Sequence, residues 1–294
     1  MARNRKLRFF FEYVLYRVLS ATVRLLPRRW SLVLGSGLGR LCHGLFFKRR
    51  HLAEDNMHRA MPELDSRDIR TKVHEMFKHL GIVSMDLLNL KKLHAEPDIS
   101  RYFEIDGLDQ LRRAYDDGKG VLLVTAHLGF WEAGTIFLPK LGFPTAFIAK
   151  RMKNPRMDEF LMRTREMSGG EIIDARRGAR RIVKALHEGK VVCVLPDQDN
   201  RDGEVINFFG RPARTTTMVA QLALKTGAPI VHGFTLRTPD NRYYNWIEKP
   251  ISAESFTGPD AATRLTEHIN RVIETAIRRQ PEQWFWLHNR WRVD

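Results

Sequence analysis

Residues 120–132 read GVLLVTAHLGFWE, and this stretch decides the fold. The four apolar residues at 121–124 follow a glycine and run into polar residues, which is the pattern of a short, buried parallel strand. Side chains just beyond the carboxyl end of such a strand line the ligand crevice of an open α/β sheet. The pattern therefore predicts that His127 lies at the mouth of a crevice.

His127 is followed five residues later by an acid, Glu132. An imidazole with an unperturbed pKa of about 6.5 accepts a proton near neutral pH, and a carboxylate on its other ring nitrogen fixes its tautomer. We interpret His127 as a general base and Glu132 as its orienter. The same interval recurs at His58 and Glu63, but no apolar strand precedes that copy and Pro62 favours a helix end there, so we interpret it as structural.

The region beyond residue 103 alternates between two kinds of segment. Apolar runs at 121–126, 144–149, 191–195 and 228–236 are separated by amphipathic segments at 131–141, 155–168, 176–188 and 216–226. This rhythm is typical of a largely parallel sheet with flanking helices. Helices are also predicted at 51–60, 66–90 and 261–279, and a strand at 243–248. The fold class is α/β, in two regions: a helical region at 1–50 and an α/β domain at 51–294.

Charge is the most unusual feature of the composition. The chain has 294 residues, with 49 Lys+Arg against 34 Asp+Glu and a formal charge of +15. Its partners are therefore expected to be anionic: nucleic acid, phosphorylated lipid, acidic protein or an anionic membrane face. The two cysteines, Cys42 and Cys193, suggest no disulfide framework, and no cluster has the spacing of metal ligands, so neither a metal nor a cofactor is predicted.

The N-terminal region has the pattern of a membrane-associated helix. Residues 7–26 are rich in aromatic and aliphatic side chains, but Arg8, Glu12, Arg17 and Arg24 interrupt them. This pattern fits an amphipathic helix lying in an anionic interface better than a membrane span or a signal peptide. A second apolar stretch at 30–47 fits membrane contact and packing on the rest of the chain equally well.

Charged residues follow several predicted elements. Arg151 comes after the second strand, where cations suit a phosphate or an acidic carrier, although a solvated basic loop is the alternative. Asp197 follows VVCVLP and either holds a basic loop in place or binds a substrate hydroxyl. Arg214 stands at what is predicted to be a threonine-capped helix start, which would suit an anion. At the C-terminus, Arg290 with the neighbouring tryptophans predicts cation–π contacts that fix the tail on the core.

Several of these segments together resemble the bacterial lipid A biosynthesis acyltransferases. They are HLGFWE at 127–132, VLPDQD at 194–199, the FFG-x-PA-x-TT loop from residue 208 and the closing PEQWFWLHNRW. The resemblance extends to NM-x4-MPE at 56–63, to RE-x2-GG from Arg165 and to GAPIVHGF from residue 227. One segment departs from the family pattern: KRMKNP retains Arg151, Asn154 and Pro155, but Lys150 and Met152 do not match, which leaves acceptor and chain-length preference open.

The resemblance implies a glycerol-3-phosphate acyltransferase-like fold, with His127 and Glu132 as the catalytic pair. It also implies transfer of a fatty acyl chain from acyl carrier protein to a hydroxyl of a Kdo-linked lipid A precursor, at the cytoplasmic face of the inner membrane. The expected substrate-binding residues are Arg151, Asn154, Arg165, Asp197 and Arg214. Backbone N–H groups at 128–130 are the expected donors to the oxyanion.

Two alternatives remain on the sequence alone. One is an acyltransferase for another acceptor, such as a glycerophospholipid, an ornithine lipid or a glycosylated phosphatidylinositol. The other is a non-catalytic basic protein that binds membrane or nucleic acid. The chain has no recognisable nucleic-acid motif, so nucleic acid is not an expected partner.

Overall fold

The computed structural model describes residues 2–176 and 178–293. Across this part of the chain a seven-stranded sheet has the order β1-β9-β8-β2-β5-β3-β4, and β6 and β7 form a separate hairpin. The strands are β1 (Phe103–Asp106), β2 (Val121–Val124), β3 (Thr145–Ala149), β4 (Glu171–Asp174), β5 (Val191–Val194), β6 (Glu204–Phe208), β7 (Arg211–Thr215), β8 (Ile230–Arg237) and β9 (Tyr243–Ile247).

Helices cover both faces of the sheet and form the N-terminal region. They are α1 (Ala2–Leu25), α2 (Arg28–Leu45), α3 (Phe47–Ala60), α4 (Ser66–Leu88), α5 (Leu90–Ala95), α6 (Leu108–Asp116), α7 (Ala133–Lys140), α8 (Pro155–Arg165), α9 (Ala179–His187), α10 (Met218–Thr226) and α11 (Ala261–Arg279).

The sheet is mostly parallel, as predicted. Strands β8, β2, β5, β3 and β4 run in the same direction, whereas β9 is antiparallel to β8 and β1 is parallel to β9. All four residues of β2 are buried, because β2 pairs with β5 on one side and β8 on the other. Leu122 and Val124 face one hydrophobic core, and Val121 and Leu123 face the other. The position of β2 is therefore fixed, and His127 lies just beyond its end, at the carboxyl edge of the sheet.

The hairpin of β6 and β7 corrects one sequence prediction. The segment around Arg214 was predicted to be a loop leading into a threonine-capped helix. Arg214 instead pairs with Val205 inside the hairpin, and α10 begins only at Met218. The side chain of Thr217 makes no capping hydrogen bond to that helix. The physical reason is that alternate hairpin residues, such as Ile206 and Ala213, bury their side chains while their neighbours stay out.

Helix α2 packs closely on α4 through glycines. Gly35 and Gly39 of α2 face Gly81 and Phe77 of α4, and a Cβ on Gly35 would lie 2.6 Å from the Gly81 carbonyl oxygen. Small residues at such a crossing let the two backbones approach, as they do between membrane helices. The second apolar stretch therefore does pack on the rest of the chain, through one of its faces.

The opposite faces of α1 and α2 leave large apolar side chains exposed. Isolated exposed apolar residues are ordinary, but a set this large marks an interaction surface. Within the described residues, no helix is both long and apolar enough to cross a membrane. The division at residue 50 falls inside α3 and stays a prediction. The exposed side chains are Leu7, Phe10, Phe11, Val14, Leu15, Val18, Leu19 and Leu25 on α1, and Trp30, Val33, Leu34, Leu38, Leu41 and Leu45 on α2.

We predict that Gly39→Ala destabilises the protein, whereas Gly37→Ala does not. A Cβ at residue 39 would overlap the Phe77 backbone, and such overpacking costs about 1–3 kcal/mol. Residue 37 lies in the same helix with open space around it, so alanine there adds only helix propensity, about 0.5–1 kcal/mol of stability. Denaturant unfolding in mild detergent measures both. Equal stability of the two variants would contradict the proposed close crossing.

Candidate active site

The centre of the site is a histidine held by a carboxylate from another strand. The Nδ1 atom of His127 lies 2.8 Å from Oδ1 of Asp197, and the backbone N–H of His127 donates to Oδ2 of Asp197 at 2.8 Å. His127 follows β2 and Asp197 follows β5, and these strands are neighbours in the sheet. Parallel pairing thus brings together two residues that are 70 positions apart in the sequence.

Asp197 is completely buried beneath the histidine and is satisfied by hydrogen bonds. A third donor, Nε1 of Trp284, reaches Oδ2 at 2.8 Å. A buried carboxylate that accepts several hydrogen bonds stays ionised, fixes the Nδ1–H tautomer of the imidazole and leaves Nε2 as the basic nitrogen. Nε2 of His127 makes no hydrogen bond within the described part of the chain, and the ring lines a large cavity.

Two opposing effects set the pKa values of His127 and Asp197: burial, and the attraction between the two groups. Burial by itself disfavours the imidazolium, but the charge and hydrogen bond of Asp197 outweigh it and raise the pKa of His127 above its usual 6.5. Glu132 adds a weaker effect in the same direction. Burial also disfavours the Asp197 carboxylate, yet His127 and Trp284 together lower the pKa of Asp197 below its usual 3.8. His127 is therefore poised to take up a proton and hold it.

Glu132 lies near the histidine but has a different partner. Its carboxylate accepts from Arg165 through Nε at 2.9 Å and Nη2 at 2.5 Å, a bidentate pair in which the glutamate is almost fully buried. The prediction that Glu132 orients the His127 ring is therefore wrong in its partner, because Asp197 occupies Nδ1. The short interval in the sequence suggested that Glu132 pairs with His127, whereas the pairing of β2 with β5 places the distant Asp197 beside the ring.

A cavity of about 1260 Å³ opens beside His127 and has two parts. One part lies between α7 and the sheet and is lined by apolar side chains, including Leu123, Phe137, Phe147 and Ile247. The other part is polar and lies at the carboxyl ends of the strands; it is lined by Lys150, Arg176, Gln198, Asp199, Asn200, Arg201, Asp202 and His288. His127, Glu132 and Arg165 also line this cavity.

The structure brings only Arg165 of the expected substrate-binding residues into this cavity. Asp197 is buried behind His127. Arg151 is more than half exposed and pairs with Asp158 at 2.8 Å. Arg214 donates to the carbonyl oxygens of Arg201 and Val293.

Asn154 is occupied by structural hydrogen bonds. Its side-chain oxygen accepts from the first backbone N–H groups of α8, and its amide donates to Phe9 O and Glu12 Oε2 of α1. Asn154 therefore caps α8 and ties α8 to the N-terminal helix. Its match to the family pattern reflects helix capping here.

The backbone N–H groups of Leu128 and Gly129 are already hydrogen-bonded within the protein, which corrects two of the three predicted oxyanion donors; Phe130 stays a prediction. The N–H of Leu128 donates to Ala126 O at 2.7 Å, and the N–H of Gly129 donates to Gln283 O at 3.0 Å. Gly129 has a φ of 58°, and a Cβ there would overlap the Thr235 carbonyl, so only glycine fits. The turn thus shapes the site without offering the donors at 128 and 129.

The C-terminal segment is fixed on the core, as the sequence predicted, and it also reaches the site. The predicted cation–π partner is wrong, however: Arg290 is fully buried with its guanidinium 4.7 Å from the Phe208 ring, and the cation on Trp291 is Arg211, 5.3 Å from its ring. The N–H of Phe285 donates to His127 O at 3.1 Å. Sequence reasoning gave this segment no part in the site, because nothing in QWFWLHNRW indicates that the Trp284 indole meets a carboxylate near residue 197.

We predict that Asp197→Asn lowers the pKa of His127. The neutral amide removes the charge that raises this pKa, while the effect of burial remains. NMR titration of ¹⁵N-labelled imidazoles measures it, with the His127 signal assigned by its loss in His127→Ala. Asp199→Asn is the matched control, because Asp199 lines the cavity without contacting His127. An unchanged His127 pKa in Asp197→Asn would contradict the pairing.

Comparison with known proteins identifies the chain. Residues 2–293 match the family model described as bacterial lipid A biosynthesis acyltransferase. The lipid A biosynthesis lauroyltransferase of Escherichia coli is 30% identical over 88% of this chain and 84% of its own length. The lipid A biosynthesis palmitoleoyltransferase of the same species is 25% identical over the same shares.

Two further similarities are more distant. A phosphatidylinositol mannoside acyltransferase of Mycobacterium tuberculosis is 27% identical over 65% of this chain and 60% of its own length. The crystal structure of a 1-acyl-sn-glycerophosphate acyltransferase from Thermotoga maritima covers 92% of this chain and 98% of its own, at 17% identity and a TM-score of 0.38. Because the family model matches residues 2–293, this chain belongs to the bacterial lipid A biosynthesis acyltransferase family and is an acyltransferase.

Proposed function

We propose that this acyltransferase moves a fatty acyl chain from an acyl carrier protein thioester to a hydroxyl of a Kdo-linked lipid A precursor. The observation that supports it best is the His127–Asp197 pair, which leaves Nε2 of the histidine unpartnered beside the cavity. Family membership and the names of the relatives from Escherichia coli favour lipid A as the acceptor.

His127 acts as the general base in this proposal. Its Nε2 takes the proton of the acceptor hydroxyl as the oxygen attacks the thioester carbonyl, and the buried Asp197 charge stabilises the imidazolium that forms. The donor thiolate then leaves when the tetrahedral intermediate collapses, and the imidazolium returns the proton to it. A thiol with a pKa of about 8.5 is a good leaving group, so no acyl-enzyme is required.

Arg165 and Glu132 act as a unit in the same site. Nε and Nη2 of Arg165 are held by Glu132, and its Nη1 has no hydrogen-bond partner among the described residues. A guanidinium fixed in this way offers its remaining donors to the oxyanion or to a phosphate of the acceptor without reorganising. Glu132 thereby contributes through Arg165 and through its charge near His127.

The two parts of the cavity suit the two substrates. The apolar part under α7 provides a low-dielectric channel for a fatty chain, and Lys150 and Arg176 at the polar part suit anionic groups. Arg151, on the exposed surface nearby, stays a proposed contact for the acidic carrier, acting on the association rate more than on affinity.

The membrane surface is the proposed place of the reaction. Exposed apolar side chains on α1 and α2 supply a face that burial in a lipid interface would cover, and the basic side chains of α1 suit the anionic cytoplasmic leaflet of the inner membrane. A water-insoluble acceptor and a water-soluble carrier would meet at such a surface.

A phosphatidylinositol mannoside is the second candidate acceptor. The relative from Mycobacterium tuberculosis carries that name, and the same base would serve any lipid hydroxyl. Its similarity covers a smaller share of this chain than that of the lipid A enzymes. We therefore favour lipid A.

We predict that His127→Ala lowers the rate of acyl transfer by about a thousandfold, since a positioned general base contributes roughly 10²–10⁴. The assay supplies labelled acyl carrier protein thioester and a tetraacylated lipid A precursor to the detergent-purified chain. His58→Ala is the matched control, because His58 is an exposed histidine with the same spacing to an acid.

The same assay distinguishes the acceptors. Equal loss in both variants, or normal turnover by His127→Ala, would contradict the role given to His127. Product with phosphatidylinositol mannoside but none with the lipid A precursor would favour the second candidate. The absence of product with every lipid would contradict the proposed reaction.

We predict that Trp284→Phe lowers kcat by at least about tenfold, whereas Trp291→Phe changes it by less than about threefold. Both changes remove one buried indole hydrogen bond, but only Trp284 donates to Asp197; Trp291 donates to Phe208 O at 2.9 Å. A hydrogen bond to a charged group is worth about 1.5–3 kcal/mol. Equal kcat values for the two variants would show that Trp284 has only a packing role.

A further inference from the structure

A second, smaller cavity lies on the surface between α1 and α8, apart from the active-site cavity. Its volume is about 530 Å³, and the aromatic ring of Phe160 lies among its lining residues. Tyr13 and Tyr16 of α1 pack edge-on against that ring. The cavity is therefore formed where the N-terminal helix meets the helix that ends at Arg165.

Three cations without carboxylate partners line this cavity. The guanidinium of Arg17 lies 5.0 Å from the Phe160 ring centroid and Nζ of Lys91 lies 4.8 Å from it, while Arg156 lies 5.2 Å from the ring of Phe10. In the part of the chain that the structure describes, no carboxylate oxygen is within 4.0 Å of their nitrogens. Arg163 and Glu159 also line the cavity, and they neutralise each other in an ion pair at 2.6 Å, so the net charge of the lining comes from the three other cations.

Arg17 and Lys91 both lie against the ring of Phe160. The ring face attracts each cation by roughly 0.5–1 kcal/mol at an exposed site, which leaves most of each charge uncompensated. An anion in the cavity would be attracted to these cations and would accept hydrogen bonds from their nitrogens. The cavity therefore has positive charge and donors that suit an anion.

The apolar surroundings favour a lipid over a soluble anion. Phe10, Tyr13 and Arg17 are spaced along one side of α1, and the exposed Phe11, Leu15 and Val18 adjoin them on the helix. A phospholipid presents a phosphate and hydrocarbon together, which matches cations bordered by apolar side chains. The fatty chain of an acyl carrier protein is assigned to the active-site cavity in the proposed reaction, so the carrier would bring only carboxylates here and would leave the apolar border uncovered.

We propose that this cavity binds the phosphate of an anionic bilayer phospholipid, distinct from the acceptor. α8 separates the two cavities: its Arg165 lines the active-site cavity, and its Phe160 and Thr164 line this one. Asn154 at the start of α8 already ties the helix to α1. Phospholipid bound here holds α1 and α8 together at the membrane surface and so fixes the helix that carries Arg165.

The test measures binding to vesicles and needs neither acyl donor nor acceptor, so its result stands even if the proposed reaction is wrong. The full chain is sedimented with vesicles of phosphatidylcholine alone, or with about a third phosphatidylglycerol. The site variant is Arg17→Gln/Lys91→Gln/Arg156→Gln. The matched control, Arg180→Gln/Lys225→Gln/Arg271→Gln, removes three exposed cations from α9, α10 and α11.

We expect the site variant to bind phosphatidylglycerol vesicles at least about tenfold more weakly than the wild type, and the control to stay within about threefold. Binding to phosphatidylcholine alone is expected to be unchanged in both. Lys91→Gln alone, the mildest change, is expected to cost about fivefold and serves if the triple variant does not fold. If both triple variants bound phosphatidylglycerol vesicles equally weakly, the proposal would be overturned, because the attraction would then depend on total charge and not on this cavity. Binding of the site variant to phosphatidylglycerol vesicles within about threefold of the wild type would also overturn it.

Discussion

The buried carboxylate of Asp197 is the group on which the rest of the site depends. It accepts hydrogen bonds from the backbone and ring of His127 and from the indole of Trp284. An ionised carboxylate without exposure is strongly unfavourable unless its lone pairs are occupied, so the three donors are a condition for the charge to exist there. The central strand pair and the C-terminal segment must therefore both be in place for the carboxylate to hold His127, the proposed base.

Sequence reasoning succeeded wherever a local pattern determined the structure. The strand-end position of His127, the run of β2 and the bounds of α11 all follow from periodicity and from flanking residues. The predicted helix from residue 66 begins there, where Asp65 caps α4 by accepting from two backbone N–H groups. These features depend on neighbours within a few residues, and such neighbours are visible in the sequence.

The errors share one physical cause, which is that nonlocal packing selected among several locally acceptable arrangements. Glu132 is the nearest acid to His127 along the chain, but pairing of β2 with β5 brought Asp197 to the ring instead. The threonines near residue 215 suit a helix start, yet the preceding segment paired with β6 as a hairpin. Trp284 has no local sign of its role, because its partner is 87 residues away.

The buried pair of Glu132 and Arg165 connects the site to α1, the helix proposed to contact the membrane. A bidentate pair of this kind contributes little net stability after desolvation, but breaking it leaves a buried charge without a partner, so the two helices it joins are held in one geometry. Glu132 directly precedes α7 and Arg165 ends α8, whose first turn is held to α1 through Asn154. If α1 lies at a lipid interface as proposed, a displacement of α1 would reach Arg165 through this single helix of 11 residues. The proposed membrane helix would then support the reaction as well as attachment, because it supports the helix that carries Arg165, which pairs with Glu132 and lines the same cavity as His127.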